Sequence, residues 1–185
     1  MKYEVSIQNE HLVTESQGNG LALLDTGSPI SLGADHFLMD GIRANTGLPL
    51  CALIGMDILG REGLVLDIPN NTLVTHDESV TLDIYAQENI KMRYVHGVPT
   101  VKTNLGWFAV DTGAMQTFFK TGLINHATVV DTREEFLSTG ETFVVDIIEH
   151  TITLREKRFK IRPAVMPTSH QEALDVWNIV GVIGL

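Results

Sequence analysis

Two aspartates in this sequence stand at the ends of matching apolar runs. Leu21-Ala22-Leu23-Leu24 leads into Asp25-Thr26-Gly27-Ser28, and Trp107-Phe108-Ala109-Val110 leads into Asp111-Thr112-Gly113-Ala114. At average composition such a tripeptide occurs about 0.03 times in a chain of this size, so two copies are not a product of chance. A repeated strand-to-turn junction accounts for the residue types, because Gly permits positive φ and Asp and Thr favour turns. It does not account for an acid that twice follows four apolar residues, where burial penalises the charge. Carboxyls in contact cannot both ionise cheaply, so one keeps a proton while the other is charged. That pair is general acid and general base at once. The ionised member takes a proton from a water held between them, and the water attacks a carbonyl carbon. The protonated member hydrogen-bonds the carbonyl oxygen, and a proton later passes to the leaving amine.

Bringing Asp25 and Asp111 together requires a repeat, and the sequence carries one. Asp25 and Asp111 are 86 positions apart, and at that spacing Gly20 meets Gly106 and Thr14 meets Thr100. A second matched pair, Leu53-Ile54-Gly55 and Val182-Ile183-Gly184, closes each half. The natural division is a lobe over 1–88 and a lobe over 89–185, joined near Gln87-Glu88-Asn89. Packed about a pseudo-twofold axis, as the subunits of a homodimer are, the lobes bring the two acids to the axis. Thr26 and Thr112 then hold the turns together, and Gly27 and Gly113 let a substrate backbone approach. Ser28 offers its turn a hydroxyl donor that Ala114 lacks, which makes Asp25 the expected more acidic partner.

Strand patterning surrounds these motifs. Tyr3, Val5 and Ile7 alternate with polar residues. Further strands are expected at Leu12–Glu15, Leu64–Leu66, Thr72–Val74, Val80–Tyr85, Thr142–Ile148, Thr151–Leu154 and Phe159–Val165, with turns at Gly18-Asn19-Gly20 and Asn70-Asn71. Short helices are expected at Met56–Leu59, Met115–Leu123 and Ser169–Trp177. The fold class is all-β.

Composition narrows the chemistry. The 185 residues are 44% hydrophobic and 19% charged, with mean hydropathy +0.11, which supports a buried core. Thirteen Lys and Arg against 23 Asp and Glu give a formal charge of -10, which repels nucleic acid and anionic membranes. No apolar run reaches the roughly 20 residues of a membrane span, and the alternating start is no secretory signal. The single Cys51 excludes an internal disulfide and leans towards a reducing, cytoplasmic setting; its apolar neighbours suggest packing. Seven scattered histidines (His11, His36, His76, His96, His126, His150 and His170) form no zinc spacing, and there is no phosphate-binding glycine loop. Ser28 and Ser31 lack a base partner. Arg155–Arg162, alternating with Phe159 and Ile161, reads as a wet strand face.

The motifs LLDTGS at 23–28 and AVDTGA at 109–114, with LIG at 53–55 and VIG at 182–184, resemble the retropepsin-like aspartic proteases, the superfamily of pepsin and the retroviral proteases, in single-chain form. The type example of proton-sharing carboxyls is this class. The resemblance implies a two-lobed acid-protease fold with closed, barrel-like lobes and few short helices. It implies a monomer that acts as its own pseudo-dimer and cleaves polypeptide substrates with Asp25 and Asp111, supported by Thr26, Gly27, Ser28, Thr112, Gly113 and Ala114. No metal or organic cofactor is implied. Asp25 to Gly55 spans 30 residues but Asp111 to Gly184 spans 73, an excess of 43. The resemblance puts a flap there, a hairpin at about 133–150 with substrate-binding Ser138, Thr139 and Gly140 near its tip, and leaves Arg155-Glu156-Lys157 as a surface hairpin. The first lobe has no flap, and the second ends one residue past Gly184, without a counterpart of Met56–Leu59. The alternative is a catalytically inactive member of the same fold that binds peptides or partners.

Overall fold

The computed structural model describes residues 2–16, 20–61, 63–67, 70–76, 91–124, 127–137 and 141–185. In the first half, β1 (Lys2–Gln8) and β2 (His11–Ser16) form a hairpin closed by Asn9 and Glu10, at φ 47° and 66°. Two left-handed residues in succession give a turn whose twist matches that of the strands. The apolar run becomes β3 (Gly20–Leu24), followed by β4 (Leu32–Gly33), α1 (Met39–Thr46), β5 (Leu50–Ile54), α2 (Met56–Leu59), β6 (Gly63–Asp67) and β7 (Thr72–His76). They form a sheet in the order β4-β5-β3-β2-β1-β7-β6. β5 runs parallel to β3, and a parallel pair needs a crossover. α1 lies in that crossover; it buries Met39, Ile42 and Thr46 and stops at Gly47, whose φ of 65° suits glycine.

The second half contains β8 (Met92–Val95), β9 (Val98–Lys102), β10 (Trp107–Val110), β11 (Phe118–Lys120), β12 (Val129–Phe136), β13 (Thr142–Ile148), β14 (His150–Leu154), β15 (Lys157–Ile161) and β16 (Ala164–Met166). A 3-10 turn (Thr168–His170), α3 (Glu172–Val176) and β17 (Gly181–Ile183) complete it. Its main sheet runs β12-β13-β16-β11-β17-β10-β9-β8, and β14 and β15 pair separately. As in the first half, the strand before the Asp-Thr-Gly turn, β10, has a parallel neighbour, β17. The chain is therefore mostly β, and among the described residues no helix is long and apolar enough to cross a membrane.

Each apolar run sits in the core. Leu23 packs with Val13, Leu50 and Leu53, while Leu24 packs with Val5, Leu12 and Met56. Phe108 of β10 is fully buried, with its ring 5.3 Å from that of Phe119. Burying a side chain of this size stabilises by about 1.5–3 kcal/mol, so the strands that end in Asp25 and Asp111 are anchored before the acids are reached.

The structure corrects several sequence expectations. Among the described residues the sheets are open rather than closed barrels, with β4 and β6 at the edges of one and β12 and β8 at the edges of the other. The helix expected at Met115–Leu123 is strand β11 at Phe118–Lys120, where Phe119 is driven into the core. The strand expected at Phe159–Val165 is divided between β15 and β16 at Arg162-Pro163, because Pro163 has no N–H for a ladder. Thr14 pairs with Ala22, but Thr100 pairs with Ala109, so register places Thr14 opposite Val101 in the repeat rather than opposite Thr100. The 43 extra residues hold two hairpins, β12–β13 and β14–β15, and β16. The strand expected at Val80–Tyr85, the linker at Gln87-Glu88-Asn89 and the first two residues of the turn Gly18-Asn19-Gly20 lie outside the described residues, as do Ser138, Thr139 and Gly140 at the flap tip.

Candidate active site

Both acids are fixed first through their backbones. Leu24 pairs with Ile54, and the Asp25 N–H donates to the Ile54 carbonyl at 3.0 Å. In the second half Val110 pairs with Ile183, and the Asp111 N–H donates to the Ile183 carbonyl at 2.9 Å. The chain then passes behind each turn. The Met56 N–H donates to the Ser28 carbonyl at 2.8 Å, and the Leu185 N–H to the Ala114 carbonyl at 3.0 Å. Backbone lies so close to backbone here that a side chain at Gly55 would overlap the Ile30 carbonyl. One at Gly184 would come within 2.6 Å of the Ala114 and Gln116 carbonyl oxygens. The apolar-apolar-Gly elements are thus the supports of the two turns.

One supporting pair was missed by the sequence reading. Ser31 Oγ accepts the Gly55 N–H at 2.9 Å, and Thr117 Oγ1 accepts the Gly184 N–H at 3.3 Å. Ser31 and Thr117 are separated by the same 86 positions as the acids, and both carry a hydroxyl. That coincidence was the available signal.

The turns are joined by a reciprocal set of hydrogen bonds. Thr26 N–H donates to Thr112 Oγ1 at 3.1 Å, and Thr112 N–H donates to Thr26 Oγ1 at 3.0 Å. The two hydroxyls donate onward, Thr26 to the Val110 carbonyl and Thr112 to the Leu24 carbonyl, each at 2.7 Å. Both threonines are buried, so the four bonds form away from competing water.

The carboxyls are oriented by their own turns. Asp25 Oδ1 accepts the N–H of Gly27 at 2.8 Å and of Ser28 at 2.9 Å. Asp111 Oδ1 accepts the N–H of Gly113 at 2.8 Å and of Ala114 at 3.2 Å. With one oxygen of each held in place, the two carboxyls come close to each other, each against the opposite turn. The glycines make this contact possible. A methyl on Gly27 would overlap the Asp111 carboxylate, and one on Gly113 would lie 2.6 Å from Asp25 Cγ. What each glycine makes room for is the opposite acid.

Asp25 keeps some surface open to solvent while protein packs round it on most sides. Burial, and then the charge of Asp111 beside it, hold the Asp25 carboxyl well above the usual carboxylate range, against the pull of the Ser28 and Gly27 N–H groups. The hydroxyl that Ser28 was expected to offer the Asp25 carboxylate donates instead to the Ile30 carbonyl at 2.7 Å, so Ser28 reaches the carboxylate through its N–H. Ala114 contributes only its N–H.

The β12–β13 hairpin is tied to the first half. Arg133 Nη2 meets Glu10 Oε2 of the β1–β2 turn at 2.5 Å, and Phe136 lies against His11. The other sequence candidates lie elsewhere. Cys51 is half-buried beside Gly20, and Arg155 and Glu156 form the exposed turn of β14–β15. Trp107 is covered by the Arg93 guanidinium, 4.5 Å from its ring, and Trp177 lies against His96. Compared with known proteins, the chain matches no family model and no curated protein sequence.

Proposed function

We propose that this chain is an aspartic endopeptidase of the retropepsin-like class, a single-chain pseudo-dimer whose two sheets are the two lobes of an acid-protease fold. The observation that carries the reading is the meeting of Asp25 and Asp111, two carboxyls held by equivalent turns, each filling the space that the opposite turn's glycine leaves. In the cycle, the ionised member of the Asp25–Asp111 pair takes a proton from a water between the acids as that water attacks the peptide carbonyl carbon, and the protonated member gives its proton to the carbonyl oxygen, forming a gem-diol. The acid that took the water proton then protonates the leaving nitrogen, the C–N bond breaks, and its partner recovers a proton from a gem-diol hydroxyl. The cycle ends as it began, with one proton on the pair.

In this reading the β12–β13 hairpin is the flap, supplied by the second lobe alone, and it lies over an extended polypeptide as an added strand would. The single free cysteine supports a cytoplasmic setting. The test is calorimetric binding of a statine-containing peptide, whose secondary hydroxyl stands where the gem-diol forms. Wild-type protein is expected to bind it, and Asp25→Asn and Asp111→Asn to lose it. Absence of binding by wild type rejects the reading, and binding without peptide cleavage points to the inactive, peptide-binding alternative.

A further inference from the structure

The extra residues of the second half include a hairpin that joins neither main sheet. Among the described residues β14 and β15 pair only with each other, across the turn Arg155-Glu156. Five of the thirteen cationic side chains lie between Arg155 and Arg162, with Glu156 the one acid among them. This run carries a formal +4 and the rest of the chain -14, which together make the -10 of the whole. Arg155, Arg158, Lys160 and Arg162 are exposed, and among the described residues none of the four forms an ion pair. Like charges this close repel one another, so their concentration on one hairpin calls for a reason.

Register shows which parts of the hairpin face outward. His150, Ile152 and Leu154 share a face with their cross-strand partners Ile161, Phe159 and Lys157. That face is turned to the core, where Ile152 is buried and Leu154 and Ile161 pack in one cluster with Phe108 and Phe119. Arg158 and Lys160 stand on the opposite, wet face with Thr153 and Thr151. Phe159 is on the core side, but it overhangs the outer edge of β15 and is 42% exposed.

The backbone of that edge is open as well. On the other side of the hairpin Asn104 covers β14: the Thr153 N–H donates to Asn104 Oδ1 at 2.7 Å, and the Thr153 carbonyl accepts the Asn104 N–H at 3.1 Å. Both Thr153 groups thus point away from β15. In an antiparallel pair the residue opposite points its own groups the other way. The N–H and carbonyl of Arg158 therefore face outward, and by alternation so do those of Lys160. Among the described residues no strand lies beside them. The edge presents two donor–acceptor pairs about 7 Å apart, with cations on one face and an apolar ring on the other.

We propose that the β15 edge is a docking site for an extended, acidic polypeptide segment, which adds to the hairpin as a third strand. Acidic residues at alternate positions of that segment lie beside Arg158 and Lys160, and the residue between them is apolar and covers Phe159. The open main-chain groups select a polypeptide over a nucleic acid or a lipid surface, neither of which has a strand to pair. The -14 on the rest of the chain also opposes a long polyanion. Cations on an exposed edge can instead serve to keep the edges of like molecules apart. That role calls for no affinity for an acidic strand, so binding separates the two. The site does not depend on the dyad.

The test uses the full chain and a short, blocked, fluorescent peptide of alternating glutamate and valine, read by anisotropy. Wild type and Asp25→Asn are expected to bind it equally, since the dyad takes no part. Arg158→Glu combined with Lys160→Glu should weaken binding by about tenfold or more, because two cross-strand attractions become repulsions. Strand addition is read on wild type with two N-methylated peptides, one methylated at every glutamate and one at every valine. Only one set of N–H groups can face β15, so one peptide loses binding and the other retains it. Equal binding by the two, or unchanged affinity in the charge-reversed variant, overturns the proposal. Binding lost in Asp25→Asn places the peptide at the dyad instead and overturns it, as does preferential binding of single-stranded DNA or of phosphatidylserine vesicles. No binding of the alternating peptide marks the cations as protection of an exposed edge, and overturns it too.

Discussion

Replacing Thr26 by valine keeps the shape of the side chain and removes the hydroxyl that joins the two Asp-Thr-Gly turns. Thr26 Oγ1 donates to the Val110 carbonyl at 2.7 Å and accepts the Thr112 N–H at 3.0 Å, with only 4% of the residue exposed. A typical hydrogen bond contributes about 0.5–1.5 kcal/mol net, and leaving a buried partner unsatisfied costs about 1–3 kcal/mol. Thr26→Val strands two such partners, so the expected loss is about 2–5 kcal/mol, a large share of the roughly 5–15 kcal/mol that stabilises an ordinary domain. Thr26→Ser keeps the hydroxyl and removes one methyl, with an expected loss of about 1 kcal/mol. Thr112 makes the reciprocal bonds, to Leu24 and from Thr26, and should give the same ordering of variants. The double valine variant is expected to lose less than the sum of the two, because all four bonds join the same pair of turns. Equilibrium urea unfolding reads these differences from midpoints and slopes. A valine variant within about 0.5 kcal/mol of wild type, or a serine variant worse than the valine one, would refute the reasoning.

Two further effects follow from the geometry. The Asp25 carboxyl holds its proton more tightly folded than unfolded, so stability falls as pH rises from the ordinary carboxylate range through its raised value. Asp25→Asn keeps the acceptor for the Gly27 and Ser28 N–H groups and should flatten that fall. Melting temperatures between about pH 3 and about pH 8 check this, and parallel curves for the two proteins contradict it. Gly27→Ala forces a methyl into the Asp111 carboxylate and is expected to cost about 1–3 kcal/mol in denaturant unfolding. Gly33→Ala, with open space around it, should change stability by less than about 0.5 kcal/mol, and equal costs at the two positions would contradict the packing described here.

Those parts of the fold and site that repeat were legible in the sequence. Asp25 and Asp111 stood out because acids rarely end apolar runs, and Gly55 and Gly184 because each closes an apolar pair at a fixed place in its half. The supporting hydroxyls of Ser31 and Thr117 were hidden by their different residue types. α1 was hidden by Gly41 and by a short apolar face of Met39, Ile42 and Thr46, which does not announce a helix. The segment around Met115–Leu123 was misread because an apolar run this short fits strand or helix, and only tertiary pairing with β16 and β17 decides for strand. The meeting of His11 with Phe136 gave no local signal at all, because the two are distant in sequence and only the fold brings them together. The direction of the Ser28 hydroxyl was likewise out of reach, because only the folded turn aims it at the Ile30 carbonyl.

Peptide turnover tests the shared-proton dyad most directly. Wild-type protein, incubated with a diverse peptide library across acid and neutral pH and read by mass spectrometry, is expected to produce new amino and carboxyl termini. Each cleavage in 18O-labelled water should place one label in the new carboxylate, as direct attack by water requires. Asp25→Asn and Asp111→Asn should each abolish cleavage, because both carboxyls act in every cycle. Undiminished turnover in either variant would contradict the account.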